Sequence, residues 1–158
     1  MTATAWEDRD ELQRVYDAKV HRVHPHRRSQ QILMPPVACR SLEEKWIQIA
    51  DETAKMIQTN RSVLIGTRTI AQSEELSKQL SENDISHVVL NARNAASEAE
   101  IIAEAGQAGR VTVATNMAGR GTDIRLSEEV RKAGGMHVVV SEAHAASRID
   151  RQLIGRSS

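Results

Sequence analysis

The strongest constraint on the fold is a regular alternation of short apolar runs and helix-like segments over residues 62–155. The apolar runs cover residues 62–66, 86–91, 111–116 and 136–142. Short apolar runs are typical of strands that are buried on both faces, and helices between such strands predict parallel βαβ units. The sequence therefore predicts an α/β fold, with a mostly parallel sheet flanked by helices.

The spacing of apolar residues predicts six helices. They cover residues 7–18, 41–58, 71–83, 96–107, 126–135 and 145–155. The second of these has the clearest start, because Ser41 is followed three residues later by Glu44, as in a capping box. Residues 19–36 are basic and contain prolines, and they are predicted to be irregular, with room for one short strand.

Composition excludes several classes of protein. The chain has 158 residues, which suits one domain, and its 21 basic and 21 acidic residues cancel. Without a net charge, the chain as a whole shows no preference for nucleic acid or for an anionic membrane. Cys39 is the single cysteine, which rules out a disulfide framework and a cysteine-based zinc site within these residues. No apolar run approaches the ~20 residues of a membrane span.

The stretch "VTVATNMAGRGTDI" (residues 111–124) places a glycine-rich loop directly after a predicted strand. Gly119 and Gly121 allow the backbone to pass close to a ligand. Between them, Arg120 offers a planar fork that suits phosphate oxygens. Asp123 is able to accept a hydrogen bond from a ribose hydroxyl or to orient an arginine. The alternative is a tight turn with a solvated arginine, in which Asp123 caps the next helix.

The last predicted helix carries a second polar cluster. Gln152 and Arg156 are four residues apart and therefore lie on one face, with Arg148 one turn earlier. These side chains suit an anionic ligand. The alternative is a basic, solvated helix end that complements the helix dipole.

Two other features are weaker. The sequence "HRVHPHRR" places His21, His24 and His26 close to arginines, but no carboxylate or cysteine nearby completes a metal site, so a solvated basic loop is expected. The chain also has no G-x-x-x-x-G-K-[ST] loop and no Asp-Glu magnesium pair on a strand. The chain thus has arginines that suit phosphate but lacks the loop that cradles phosphates. This combination indicates half of a phosphate-binding site.

These segments resemble the SecA family, the ATP-driven motors of bacterial preprotein translocation. "ATNMAGRGTDI" is similar to motif V of that family, and "MTATA" is similar to its Met-Thr-Gly-Thr-Ala motif III, with Ala3 in place of glycine. The runs 62–80 and 87–124 follow the family pattern, and 134–158 resembles the segment that leads into motif VI. Motif VI ends Gly-Arg-Ser-Gly-Arg in the family, whereas this chain ends with Ser158 in place of that second glycine.

The resemblance implies a RecA-like second motor lobe (a helicase C-terminal-type lobe) over residues 1–158, as part of a longer protein. Residues 1–40 would form an opening helix and an irregular linker, and residues 41–158 would form the core. ATP or ADP with Mg²⁺ would lie between this lobe and a first lobe that carries the P-loop, and the isolated chain would bind nucleotide weakly and turn over little or no ATP. The implied partners are the first lobe, the preprotein and the membrane channel, and the implied location is the cytoplasm, at the inner face of the membrane.

The resemblance also implies roles for individual residues. Arg120 and Arg156 are the predicted catalytic residues, because arginines of the second lobe stabilise charge on the γ-phosphate. The predicted nucleotide-binding residues are Gly119, Arg120, Gly121, Asp123, Gln152 and Arg156. Two other functions stay open at this stage. One is a lobe of a nucleic-acid helicase, supported by the basic loop but opposed by the neutral charge. The other is a non-catalytic interaction module that kept the fold.

Overall fold

A computed structural model describes residues 5–6, 8–24, 26, 29–90, 98–115, 124–144 and 147–155. Over these residues the helices and strands alternate as the sequence predicts. The helices are α1 (Arg9–Tyr16), α2 (Leu42–Gln58), α3 (Ile70–Glu82), α4 (Glu98–Glu104), α5 (Glu128–Lys132) and α6 (Ser147–Ile154). The strands are β1 (Val63–Thr67), β2 (Val88–Leu90), β3 (Val111–Thr115) and β4 (His137–Val140).

The strands form one sheet in the order β2-β3-β1-β4, and every pair is parallel. At the amino end of β1, Val63 lies opposite Val111 of β3 and His137 of β4. The predicted α/β fold with a parallel sheet is confirmed. Because β1 and β3 are the inner strands, their residues are nearly all buried, as their largely apolar runs predict.

Each face of the sheet packs against its own layer of helices. On one face, Ile65 and Val113 of the sheet meet Trp46 of α2 and Leu76 of α3. On the other face, Leu64 and Ala114 belong to a second cluster with residues of α4 and α6. That second cluster also contains Leu90, Ile102, Ala105, Ile124, Met136 and Leu153. Alternate residues of β1 thus serve opposite cores, which gives a three-layer arrangement.

Side-chain caps define several helix starts. The Ser41 hydroxyl accepts from the backbone N–H of Glu44 at 3.1 Å, which confirms the predicted cap. The Glu44 carboxylate accepts from the backbone N–H of Arg40 at 2.6 Å, one residue before the position of an ordinary capping box. The helix predicted over 126–135 is shorter, Glu128–Lys132. It ends early because Gly134 and Gly135 adopt positive φ angles, which turn the chain back into β4.

The first forty residues contribute little to the core that the structure describes. Helix α1 buries none of its residues, and the described buried hydrophobic residues all lie between Trp46 and Leu153. The short strand predicted within residues 19–36 is not found at the described positions of that stretch. Pro35 and Pro36 supply no backbone donors there. None of the helices in the described ranges is both long and apolar enough to cross a bilayer.

Candidate functional site

The connections of the two inner strands leave the sheet in opposite directions. From β1 the chain passes through α3 to β2, on the far side of β3, and from β3 it passes through α5 to β4, on the far side of β1. Ligands of open parallel sheets bind at the carboxyl ends of strands where such a reversal occurs. Here the reversal lies between the ends of β1 and β3, where Thr67 pairs with Thr115.

The glycine-rich loop begins at this edge. Gly119, Arg120, Gly121 and Asp123 lie outside the described residues, but both ends of their loop are placed. The loop leaves the end of β3 at Thr115 and rejoins the described chain at Ile124, which is buried in the second core. The predicted nucleotide-binding loop is therefore attached to the core at both of its ends.

A close backbone contact holds residues 125–127, which follow this loop. Gly106, just after α4, accepts at its carbonyl from the N–H of Ser127 at 3.0 Å. A Cβ added at Gly106 would lie 2.1 Å from the backbone oxygen of Arg125, so only glycine fits without displacement of backbone. The chain that follows the loop is thus seated directly against the end of α4.

Helix α6 lies against the sheet near the same edge. Leu153 is buried in the second core, and a Cβ added at Gly66 of β1 would lie 2.1 Å from its Cδ2 atom. Gln152, a predicted nucleotide-binding residue, is exposed on α6. Arg156 lies outside the described residues, two positions after the last residue of α6.

The connection from β4 to α6 is fixed by a histidine–aspartate pair. The Asp150 carboxylate accepts from the backbone N–H of His144 at 3.0 Å, and the two side chains meet at Nδ1 and Oδ1, 2.5 Å apart. Both side chains are mostly buried. Asp150 in the first turns of α6 thereby holds the loop that leads into its own helix.

Glu142, two residues after β4, is the centre of a polar cluster at this edge. Its Oε1 accepts from Lys45 Nζ of α2 at 2.8 Å and from Gln72 Nε2 of α3 at 3.0 Å. Its Oε2 lies 3.6 Å from Nη1 of Arg68, which follows β1. The hydrogen bond from Lys45, opposed in part by desolvation and aided by the charges of Lys45 and Arg68, lowers the pKa of Glu142 below its ordinary value.

We expect Glu142→Gln to lower the free energy of unfolding by about 1 kcal/mol at pH 7, since a partly exposed ion pair is lost. A lowered folded-state pKa stabilises the protein above the ordinary pKa of Glu, and this contribution disappears as the pH falls through the folded-state value. The difference between the two proteins should therefore shrink as the pH falls below the ordinary pKa of Glu, about 4.3. Urea unfolding at several pH values measures it, with Glu82→Gln, at the exposed end of α3, as the control. A difference that stays constant with pH would contradict the assignment.

Other histidines are exposed or pair with residues elsewhere in the fold. His21, His24 and His26 are exposed, and no group of three or more potential ligands within the described ranges could hold a metal ion. His137, at the amino end of β4, meets Glu52 of α2 at 2.8 Å. Sequence reasoning missed the Glu142 cluster. Its one signal was an acidic residue at the end of the predicted run 136–142, at the edge where ligands bind.

The parallel sheet lies between two layers of helices, and the connections of its inner strands run in opposite directions. This arrangement is a RecA-like, P-loop type of α/β fold. A family model described as the SecA P-loop domain matches residues 34–132, and the chain belongs to the SecA family. "Protein translocase subunit SecA 2" of Rhodopirellula baltica is 53% identical over 156 residues, which is 99% of this chain and 24% of that protein. The corresponding protein of Magnetococcus marinus is 48% identical over 155 residues, 98% of this chain and 24% of its own length.

A protein named without the number, "Protein translocase subunit SecA" of Desulfovibrio desulfuricans, is 45% identical over 157 residues, which is 99% of this chain and 18% of that protein. The chain thus spans about a quarter or less of the length of these curated relatives. The match to them extends beyond the family model at both ends, across α1 and α6.

Proposed function

We propose that this chain is the second nucleotide-binding lobe of a SecA-like, ATP-driven preprotein translocase. The observation that supports the proposal is the position of Thr115, the end of β3, after which the segment with Arg120 and Asp123 follows in sequence. This strand end lies at the reversal of connections, where parallel sheets bind ligands. Helix α6, which carries Gln152, packs on the neighbouring strand β1 through Leu153.

Arg120 and Arg156 would act on the phosphates of ATP. Their guanidinium groups supply fixed positive charge where negative charge develops in phosphoryl transfer. Asp123 would accept from the nucleotide or hold the loop, Gly119 and Gly121 would let the backbone approach it, and Gln152 would face it from α6. Mg²⁺ and the phosphate cradle would come from the first lobe, because this chain contains no G-x-x-x-x-G-K-[ST] run.

The order of the motifs along the chain supports a second lobe rather than a first lobe. The matching family model is described only as a SecA P-loop domain. Motifs that resemble III, V and VI follow one another along this chain, and the described residues before α2 lie outside the core. A preprotein and a membrane channel are the partners that we infer from relatives named as translocase subunits, and a cytoplasmic location at the inner face of the membrane follows from the same inference.

The isolated chain should turn over little or no ATP, and mixing it with a first lobe of a SecA protein should restore turnover. We expect at least about a tenfold rise over the first lobe alone, because an arginine supplied in trans is worth ~10³–10⁵ in rate and association of separate lobes is incomplete. Phosphate release measured with a coupled assay at micromolar lobe concentrations tests this.

The control is the same chain with Asp123→Asn and Arg120→Ala, which should not restore turnover. Restoration by this double variant would show that association alone activates the first lobe. Tight, salt-dependent binding of single-stranded RNA or DNA by the unmodified chain would instead favour a nucleic-acid motor.

A further inference from the structure

Glu142 connects three separate elements at the edge of the sheet where the proposed nucleotide site lies. Its partners are Lys45 in α2, Gln72 in the first turn of α3 and Arg68 in the turn before α3. Helices α2 and α3 both pack on one face of the sheet, whereas Glu142 continues from β4 towards α6, which packs on the other face. The Glu142 carboxylate, in the connection that leads to α6, thus forms hydrogen bonds with the helices of the opposite layer.

The backbone on either side of Glu142 is also held. Ser141 donates its N–H to the carbonyl of Gly66 at 3.0 Å, which is the last hydrogen bond that fixes the end of β4 to β1. Beyond it, His144 is bound by Asp150 of α6. Between these two points, Glu142 is the side chain that anchors the connection to the opposite layer. The described part of this connection is therefore held at Ser141, Glu142 and His144.

The partners of Glu142 differ in how firmly they hold it. The Lys45 side chain is 12% exposed, and its ammonium group lies 4.2 Å from the centre of the Trp46 ring, a favourable cation–π distance. Arg68 is half exposed and its guanidinium stays 3.6 Å from the carboxylate. Lys45 and Gln72 thus form the firm contacts, and Arg68 adds a looser ion pair at the solvent side.

We propose that Glu142 is a positioning residue for the proposed ATPase site. It fixes the start of the β4–α6 connection, so that α6 presents Gln152 in one orientation to the nucleotide. The inference rests on the proposed function. Glu142 itself is assigned no contact with nucleotide. Displacements of about 1 Å in a catalytic group cost up to ~10²-fold in rate, so a loosened connection is enough to be measured.

The test is steady-state ATP hydrolysis by the full-length protein with Glu142→Gln. The amide keeps the size of the side chain and one acceptor oxygen, but loses the charge that holds Lys45 and Arg68. We expect kcat to fall by about tenfold with KM for ATP changed by less than about threefold, because the loss appears in the transition state rather than in ground-state binding. Glu82→Gln, which removes an exposed carboxylate at the end of α3, should leave both constants unchanged.

Two further variants test whether the charge of Glu142 and its contact with Lys45 cause the effect on kcat. Glu142→Asp retains the charge with a shorter arm and should lose less kcat than Glu142→Gln. In a double-mutant cycle, Lys45→Met and Glu142→Gln should have strongly non-additive effects on kcat, since each breaks the same contact. A Glu142→Gln protein that is less stable but keeps kcat within twofold would overturn the positioning role, and so would additive effects in the cycle.

The failure of this inference is distinguishable from the failure of the proposed function. If Arg120→Ala lowers ATP turnover but Glu142→Gln does not, the proposed function stands and the positioning role is wrong. If neither substitution affects turnover, the nucleotide site itself has been misassigned.

Discussion

Arg120→Ala in the full-length protein is expected to lower the turnover number for ATP by about 10³-fold, the lower end of what an arginine aimed at transferring phosphate supplies. The loop that carries Arg120 starts at the carboxyl end of β3 and returns to the core at Ile124. Ligands of parallel sheets bind at the carboxyl ends of the strands, so an arginine in the segment that follows β3 is suited to stabilise phosphate charge. Single-turnover hydrolysis with excess enzyme measures the chemical step directly.

Two companion variants sharpen this measurement. Arg120→Lys keeps the positive charge but loses the planar fork, and we expect a loss between those of wild type and Arg120→Ala. Arg131→Ala, on the exposed side of α5, removes an arginine that has no proposed role and should leave turnover within twofold. Full activity of Arg120→Ala would remove the arginine from the proposed mechanism.

Gly106→Ala is expected to destabilise the fold by about 3 kcal/mol, at the upper end of the cost of overpacking. The added Cβ would meet the backbone oxygen and carbon of Arg125, at 2.1 and 2.7 Å, and the backbone cannot rotate away as a side chain can. For a chain of this size the change corresponds to a fall of about 6–12 °C in Tm, measured by calorimetry or circular dichroism.

Gly155→Ala is the matched control for this stability test. A Cβ at that position has nothing within 4 Å, so the Tm should move by less than about 2 °C. If Gly106→Ala has the same Tm as Gly155→Ala and the wild type, the close contact between Gly106 and the backbone of Arg125 is wrong.

The architecture was largely predictable because strand and helix periodicity depend on local sequence. The runs around Ile65 and Val113 are apolar at most positions, and burial on both faces is the physical reason. The strand order was not predictable, because a helical crossover is compatible with either neighbour. The reversal of connections between β1 and β3, which locates the candidate site, became visible only with that order.

The Glu142 cluster was not predictable for a related reason. Lys45 is 97 residues away along the chain and Gln72 is 70 residues away. Each is an ordinary polar residue on a helix, and only the packing of both helices on one sheet brings them to the same carboxylate. The predicted residues of the glycine-rich loop, such as Arg120, lie outside the described residues, and their roles stay predictions.

The contact between Gly66 and Leu153 restricts how the sequence can vary. The helix α6 crosses β1 where the strand has no side chain, and Leu153 occupies the space that a Cβ would need. A larger residue at position 66 is compatible with this packing only if position 153 becomes smaller or its side chain turns away. The two positions, although 87 residues apart in sequence, are therefore constrained as a pair. A larger side chain at one of them requires a smaller side chain at the other.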